Sequence, residues 1–496
     1  MKSKLPASYL DARQVNHDLI TGGWQRVVYA PGHPNGTVDR AAYVFCLLEQ
    51  FHRHIKHRSI FATASSRRRD PRAHLLSGAA WDTARGPGMN ALGLPEQPAP
   101  MLTGHATALD AAHREVASRL DADTPATVDA DGRLHVAALS AVPDPASLVD
   151  VRLSVAAVLG ANVPLVEAQA EIEPAQAWGG GLVASVDGLR FVVPVRTLYA
   201  RPNPKCFGRK RGITRLNMIN DQAAGLAAKV LSGTPRDSLH AVDVVLRQQG
   251  GVAPEAIITD TGSYSDIVFG LLHLLGRQYR PQPANLPDQR LWRIDPAADY
   301  GPLDRAARGR IDLDRITQHW EDMCRVAVSI HSGEVSAHEV TRMISRDGNP
   351  TSLGQAIAHY GRIFKTLHIL RLADDEPYRR EIKSQANLTE GRHDLARRVF
   401  HGKKGEVTKA YYDGMEDQLS ALGLVLNCIV LWNTVYMDRA LAELRAQGYP
   451  VLVEDVPRLS PFVRHHISFD GHYSFHLPDL GGSHRPLRDP DAEDDA

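Results

Sequence analysis

Two short apolar runs, Leu182–Val186 and Leu189–Val195, flank the dipeptide Asp187-Gly188 in a chain whose later half reads almost entirely as helix. Runs of this length and composition are strands, and Asp-Gly between them predicts a two-residue hairpin turn. A helix-like stretch, Ser238–Gln248, then leads through Gly250-Gly251 to Ala256-Ile-Ile-Thr259, a short buried strand that ends on Asp260. Helix followed by buried strand predicts an α/β core. From Leu303 onward the periodicity is helical, with helices predicted at Asp312–His331, Thr351–Leu372 and Glu406–Gln447, the last stopped by Gly448. Ahead of the core, Ala42, Phe45, Cys46 and Phe51 predict a helix over Val38–His57. Residues 84–142 are rich in Gly, Pro and Ala and predict a loosely packed connector with a helix at Ala108–Leu120, followed by another at Ala146–Leu159.

Lysine plus arginine (57) equals aspartate plus glutamate (57), so any surface for a polyanion must be local. With 43 % hydrophobic and 23 % charged residues, disorder throughout is excluded. No run reaches the roughly 18 apolar residues of a membrane span; the nearest, Leu422–Trp432, is interrupted by Asn427. The opening Met1-Lys-Ser-Lys-Leu-Pro lacks the apolar core of a signal peptide, which gives a cytoplasmic expectation. Cys46, Cys206, Cys324 and Cys428 lie more than 100 residues apart, which excludes a Cys-x-x-Cys zinc knuckle and fits a reducing compartment. The sequence holds no Walker A loop, no Gly-x-Gly-x-x-Gly turn and no Gly-x-Ser-x-Gly elbow.

Open α/β sheets bind ligands beyond the carboxyl ends of their strands, where Asp260 would sit. Thr259, Asp260 and Thr261 serve equally well as a turn capping a helix at Ser265–Leu275, and Asp187 alone is an ordinary hairpin residue. Together with a glutamate on a later helix the two aspartates become three hard oxygen donors. Such a set suits two Mg²⁺ ions about 4 Å apart, the arrangement of nucleotidyl transfer. The third acid could be Glu376, Glu381, Glu390, Glu406 or Glu416. Local grammar favours Glu390, because Thr389 reads as the N-cap of a helix over Glu390–Phe400 with Glu390 in its first turn, although an acid there also serves the helix dipole. His393 and Arg397 share its face, to touch a phosphate or to pair with Glu390. Residues 188–220 carry Arg190, Arg196, Arg201, Lys205, Arg209, Lys210, Arg211 and Arg215 and no acid, with Tyr199, Phe207, Gly208 and Gly212 among them. This reads as a basic loop reaching DNA phosphates, or as a solvated basic surface. Arg397, Arg398, His401, Lys403, Lys404 and Lys409 form a second cluster.

The run Ser185–Val195 and the following Asn203–Gly212 resemble the catalytic domain of the Tn-three family of bacterial transposases. Further blocks follow in order: Thr259–Gly270, Tyr360–Thr366, Glu390-Gly-Arg-His393, Ala421–Asn427 with Leu431–Thr434, and Arg458–Pro461. The resemblance covers 165–476, with Asp70–Gly78 and Trp81 as a weaker match upstream. It implies an RNase H-like DDE catalytic core with a helical insertion, preceded and followed by mainly helical regions. The DDE motif falls on Asp187, Asp260 and Glu390, separated by 73 and 130 residues. It implies a helical region at 1–83, a connector at 84–180, a core with both aspartates at 181–302 and the insertion at 303–374. The helical part of the core carrying the glutamate follows at 375–476, and an acidic disordered tail at 477–496.

By the same resemblance the three acids hold Mg²⁺, with Mn²⁺ able to substitute, and the basic residues with His393 and Arg397 contact double-stranded DNA at the terminal inverted repeats and the target. A water cuts at the transposon 3′ ends and the freed 3′-hydroxyl attacks target DNA, leaving a cointegrate. Paired-end chemistry implies a homodimer. Family members are longer, so the chain is expected to lack N-terminal DNA-recognition domains and, near 151–163, further helices. The alternatives are a silent remnant that binds DNA or pairs with a full-length transposase, and a nuclease without strand transfer.

Overall fold

The computed structural model describes residues 9–11, 28–29, 37–44, 75–120, 126–128, 134–136, 155–233, 238–248, 250–260, 265–282, 289–346, 349–401 and 405–467. Several expectations lie outside them: most of the helix over 38–57, of which only 40–44 is described and helical, most of Asp70–Gly78, residues 146–154, and the acidic tail. The chain forms two compact units, Met1–Pro71 and Arg72–Ala496. In the first, Tyr9–Asp11 pairs antiparallel with Thr37–Asp39, and Asp39 Oδ1 accepts the Ala42 N–H at 2.7 Å.

The second unit is built on one mixed sheet. Strands β1 (Val183–Val193), β2 (Arg211–Asn220) and β3 (Gly225–Ser232) form an antiparallel meander. Strands β4 (Ala256–Thr259) and β5 (Gln278–Tyr279) add parallel to β1 and to each other, giving the order β3-β2-β1-β4-β5, and the two-residue strand Arg201–Pro202 also pairs antiparallel with β2. All four residues of β4 are buried, as a parallel strand covered on both faces requires. The expected hairpin at Asp187-Gly188 does not form. Both residues lie inside one continuous β1, opposite Asn217 and Leu216 of β2, and the reversal falls instead at 194–210. An Asp-Gly turn needs positive φ at both residues, and neither has it here.

Helices cover both faces of the sheet: α1 (Gly78–Ala91), α2 (Ala99–Leu120), α3 (Val155–Ala170), α4 (Ser238–Val245), α5 (Asp266–Leu274), α6 (Trp320–His331), α7 (Ser352–Asp374), α8 (Glu376–Val399) and α9 (Tyr412–Ala446). One apolar core gathers Ala184, Val186, Leu216 and Met218 of the sheet with residues of α1, α2, α4, α5, α6 and α7. On the opposite face, Leu189, Phe191 and Ile213 pack against Leu395 and Val399 of α8 and Leu419, Leu422 and Leu426 of α9. The described helices of the connector are therefore not loose. Trp81, Met89, Leu102 and Leu109 are buried, His113 stacks on Tyr300 at 4.5 Å, and Trp320 Nε1 donates to Pro95 O at 2.8 Å.

The predicted helix over 312–331 is two, Leu313–Gln318 and α6, divided at His319. Thr351 caps α7 by accepting the Gly354 N–H, and Asp375 caps α8 by accepting the Tyr378 N–H. Gly448, at φ +79, closes α9 in a left-handed terminus. One side of α9 faces the core, where Leu419, Leu422, Leu426 and Val430 are all buried.

Helices α5 and α7 cross with their backbones in contact. A Cβ on Gly361 would stand 1.9 Å from the Asp266 carbonyl oxygen, and one on Gly270 would stand 2.4 Å from the Ile357 carbonyl oxygen. The Asp266 carboxylate accepts from Arg362 Nε at 2.9 Å and from Lys365 Nζ at 2.8 Å across the same crossing. Overpacking of this kind costs about 1–3 kcal/mol or more. Gly361→Ala should therefore lower the melting temperature by several degrees, measured by circular dichroism, while Gly104→Ala, with nothing near its Cβ, should not.

Candidate active site

The parallel pairing of β1 and β4 runs from Val183 opposite Ala256 to Val186 opposite Thr259. The next residues along the two strands are Asp187 and Asp260, which puts both carboxylates at the carboxyl edge of β4, on strands about 4.8 Å apart. Asp187 is 30 % exposed through its side chain, and its Oδ1 accepts the Gly188 N–H at 2.6 Å. Asp260 is half-buried. Beside it, the Thr259 and Tyr279 hydroxyls meet at 2.8 Å and tie β4 to β5.

Helix α8 lies across this edge, where polar contacts stand between two apolar ones: Ile382 packs with Ile258 toward its start, and Leu395 and Val399 with Leu189 and Phe191 toward its end. Thr389 Oγ1 lies 2.5 Å from Ser185 Oγ on β1 and donates to Gln385 O, while Gln385 Nε2 donates to Ser185 Oγ and to Ile219 O, both at 2.9 Å. His393 Nδ1 stands 3.6 Å from Asp187 Oδ2. The Asn217 amide donates to Asp187 O and meets His393 Nε2, each at 3.2 Å, which leaves the imidazole proton on Nδ1, facing the aspartate. Burial, aided by Arg397, Arg215, Arg392 and Arg190, pushes the His393 imidazole down to about 3. By distance His393 and Asp187 qualify as an ion pair; with a neutral ring they are a polar contact, and the burial decides it.

Glu390 follows Thr389 and precedes His393, so it stands on the stretch of α8 between the Ser185 and Asp187 contacts, with its side chain exposed. The local reading of its helix is corrected here. Thr389 is not an N-cap and Glu390 is not in a first turn: α8 begins fourteen residues earlier, after Asp375, and Thr389 turns its hydroxyl to the sheet. Among the described residues, no three His, Cys, Asp or Glu side chains gather closely enough to hold an ion. The candidate donors are nevertheless all carboxylates, the hard oxygen ligands that Mg²⁺ takes.

The basic stretch is not one loop. Arg190 lies on β1, and Arg196, Arg201, Lys205, Arg209 and Lys210 lie on the connection to β2, with Arg211 at the start of β2; all seven are exposed, and Lys210 pairs with Glu406. Arg215 is different. It sits inside β2, 5 % exposed, donating to Asn217 Oδ1, so its reading as part of an exposed basic loop is corrected. His393 is likewise buried and uncharged, which corrects its reading as a surface cation, whereas Arg397 is exposed. In the second cluster Lys403 and Lys404 lie outside the described residues, and Lys409 is half-buried. The sequence reading missed Ser185, Asn217, Gln385 and Arg392, which position this edge. Their spacing on α8 (Gln385, Thr389, Arg392) was helical, but an apolar search does not see a polar buried face.

The family described as Tn3 transposase DDE domain matches residues 146–473. The chain is similar to the transposase for transposon Tn4556 of Streptomyces fradiae, 51 % identical over 564 residues that cover 97 % of this chain and 63 % of the relative. It is also similar to the transposase for transposon gamma-delta of Escherichia coli strain K12, 37 % identical over 556 residues, covering 95 % of this chain and 55 % of the relative. The chain thus spans less than two thirds of either relative's length. Both matched spans exceed its 496 residues, so these relatives carry residues inside the span that it lacks.

Five histidines are held neutral chiefly by burial: His113 and His338 are lowered to about 4, and His273, His368 and His393 to about 3. Unfolded, each takes up a proton near pH 6.5, so the unfolded chain binds more protons below that pH. Their stabilising contribution is complete above about pH 6.5 and is lost as pH falls toward 4; by pH 5 the loss is on the order of 2 kcal/mol per residue. Asp221, raised by burial to about 6, acts in the opposite sense as a single group. The melting temperature should fall steeply from pH 7 to pH 5 with net uptake of protons on unfolding, read by calorimetry in buffers of different ionisation enthalpy. His393 should remain unprotonated down to pH 5 in an ¹⁵N-histidine spectrum.

Proposed function

The chain belongs to the Tn3 transposase family through its DDE domain, and from that premise we propose that it cuts DNA at transposon 3′ ends and transfers them into target DNA. The observation that carries this reading is the convergence of Asp187, Asp260 and the α8 stretch bearing Glu390 at one sheet edge. The order β3-β2-β1-β4-β5, with three antiparallel strands and two parallel additions, supports an RNase H-like core. The carboxylates of Asp187, Asp260 and Glu390 would hold Mg²⁺, or Mn²⁺ in its place. When bound, such ions activate an attacking oxygen and stabilise the departing one.

The chain's own residues do the positioning. Gly188 N–H fixes one oxygen of Asp187, and the neutral His393 leaves the other without a competing cation. Ser185, Thr389 and Gln385 set the height of α8, and with it Glu390, over the sheet. Water attacks the phosphodiester at the transposon end and the transposon's 3′-oxygen departs; that hydroxyl then attacks a target phosphodiester, expelling the target's own 3′-oxygen. The exposed Arg190, Arg196, Arg201, Lys205, Arg209, Lys210 and Arg211, with Arg397, would hold the phosphates of double-stranded DNA at terminal repeats and target. The work is that of a cytoplasmic homodimer joining two ends. The residues that these relatives carry inside the matched span and this chain lacks support one second reading, a remnant that binds DNA or pairs with a longer transposase without cutting.

The test is a gel assay of purified protein with Mg²⁺ or Mn²⁺, a pre-nicked transposon end and a supercoiled target. Joined product should form, and Asp187→Asn, Asp260→Asn or Glu390→Gln should each abolish it while salt-sensitive DNA binding persists. Binding without product in the unaltered protein favours the remnant. Loss of product with Glu416→Gln but not with Glu390→Gln would reassign the third acid.

A further inference from the structure

Two arginines lie inside the sheet's α8 face with neutral partners only. Arg215 on β2 is 5 % exposed and Arg392 on α8 is 1 % exposed. Arg392 donates to Ala223 O at 3.0 Å, to Gly423 O at 3.4 Å and to Asn427 Oδ1. Arg215 donates from Nη1 to Asn217 Oδ1 at 2.8 Å, and its buried Nε has no acceptor. The fold makes room for both guanidinium groups with glycine: a Cβ on Gly423 would stand 2.5 Å from Arg215 Nη2, and one on Gly225 would stand 2.5 Å from Arg392 Nη2.

Both arginines line a cavity of about 300 Å³, with Asn162, Asn217 and Ser420 in its wall. Arg247 adds a third cation there, and the one acid in the lining is Glu416, 3.4 Å from the Tyr412 hydroxyl, which itself donates to Val230 O at 2.9 Å. Burying a guanidinium without a counter-charge costs several kcal/mol, and a second beside it raises the cost. An anion entering the cavity removes that cost, and phosphate oxygens match the guanidinium fork. Asn217 stands in the cavity wall and also donates to Asp187 O, so the cavity reaches to within one strand of Asp187.

We propose that this cavity is a phosphate-binding site in which Arg215 and Arg392 take a phosphate ester of a nucleic-acid strand lying across the sheet edge. The assignment to a strand rests on the proposed transposase function; the binding of a phosphate group does not. A free mononucleotide offers the same chemistry, and the experiment separates the two.

The whole chain, without metal, is titrated with duplexes bearing a neutral methylphosphonate at successive backbone positions, and separately with thymidine monophosphate and inorganic phosphate in thermal-shift measurements. The variants are Arg215→Gln and Ser420→Phe, the second blocking the cavity while leaving both arginines. One methylphosphonate position should weaken binding to the unaltered protein about tenfold, as loss of a charge-assisted bond does. Both variants should bind unmodified DNA more weakly by a similar factor and no longer respond at that position. Stabilisation by thymidine monophosphate or phosphate, lost in the variants and with no sensitive strand position, assigns the site to a free mononucleotide and overturns the strand source. Should the unaltered protein bind no DNA yet respond to phosphate, the transposase reading fails and the phosphate site stands. Variants indistinguishable from the unaltered protein in every titration overturn the proposal, and Ser420→Phe decides it if Arg215→Gln does not fold.

Discussion

The docking of α8 onto β1 and β2 is the contact on which the candidate site depends. Ser185, Thr389 and Gln385 close a buried set of hydrogen bonds, and Asp187, Asn217 and His393 close a second one turn along. Buried polar groups are costly unless paired, so these contacts hold only at one register of helix against sheet. Apolar contacts at either end of this stretch, Ile382 with Ile258 and Leu395 and Val399 with Leu189 and Phe191, add buried area, and the polar contacts between them set the register. The sharpness of that register fixes where Glu390 stands relative to the two aspartates.

The rest of the molecule serves to keep the sheet edge in place. The backbone contact of α5 with α7 at Gly270 and Gly361, clamped by Asp266 with Arg362 and Lys365, anchors the helix that follows Asp260. His368 joins the same layers by bonding the Tyr378 hydroxyl at 2.8 Å and Pro281 O at 2.9 Å, linking α7, α8 and the exit from β5. The block Tyr360–Thr366, one of those that carry the family resemblance, lies in this packing through Gly361, Arg362 and Lys365. The glycines on α9 and β3 have another use, leaving space for two buried guanidinium groups.

Where local reading and structure part, the cause is a partner distant in sequence. Asp187-Gly188 has the composition of a hairpin turn, but the strand that pairs with it lies about 30 residues on and holds it extended. Thr389 has the composition of an N-cap, but Ser185, 204 residues away, takes its hydroxyl. The connector at 84–142 seemed loose because its helices carry few large apolar residues; Trp81, Met89, Leu102 and Leu109 suffice once α6 and α7 cover them. Arg215 read as one of eight equivalent cations, and only its inward position on β2 sets it apart.

The sequence by itself determined the element types in the later half and the buried strand ending on Asp260, because periodicity and chain punctuation are local properties. It also determined the family, through blocks spread over 165–476. Tertiary structure alone decided the continuity of β1 through Asp187-Gly188, the neutrality of His393 and the burial of Arg215 and Arg392. The first depends on the distant strand that pairs with it, the others on which distant groups exclude water from a polar side chain. Desolvation is a property of the assembled fold and has no signature in the order of the residues.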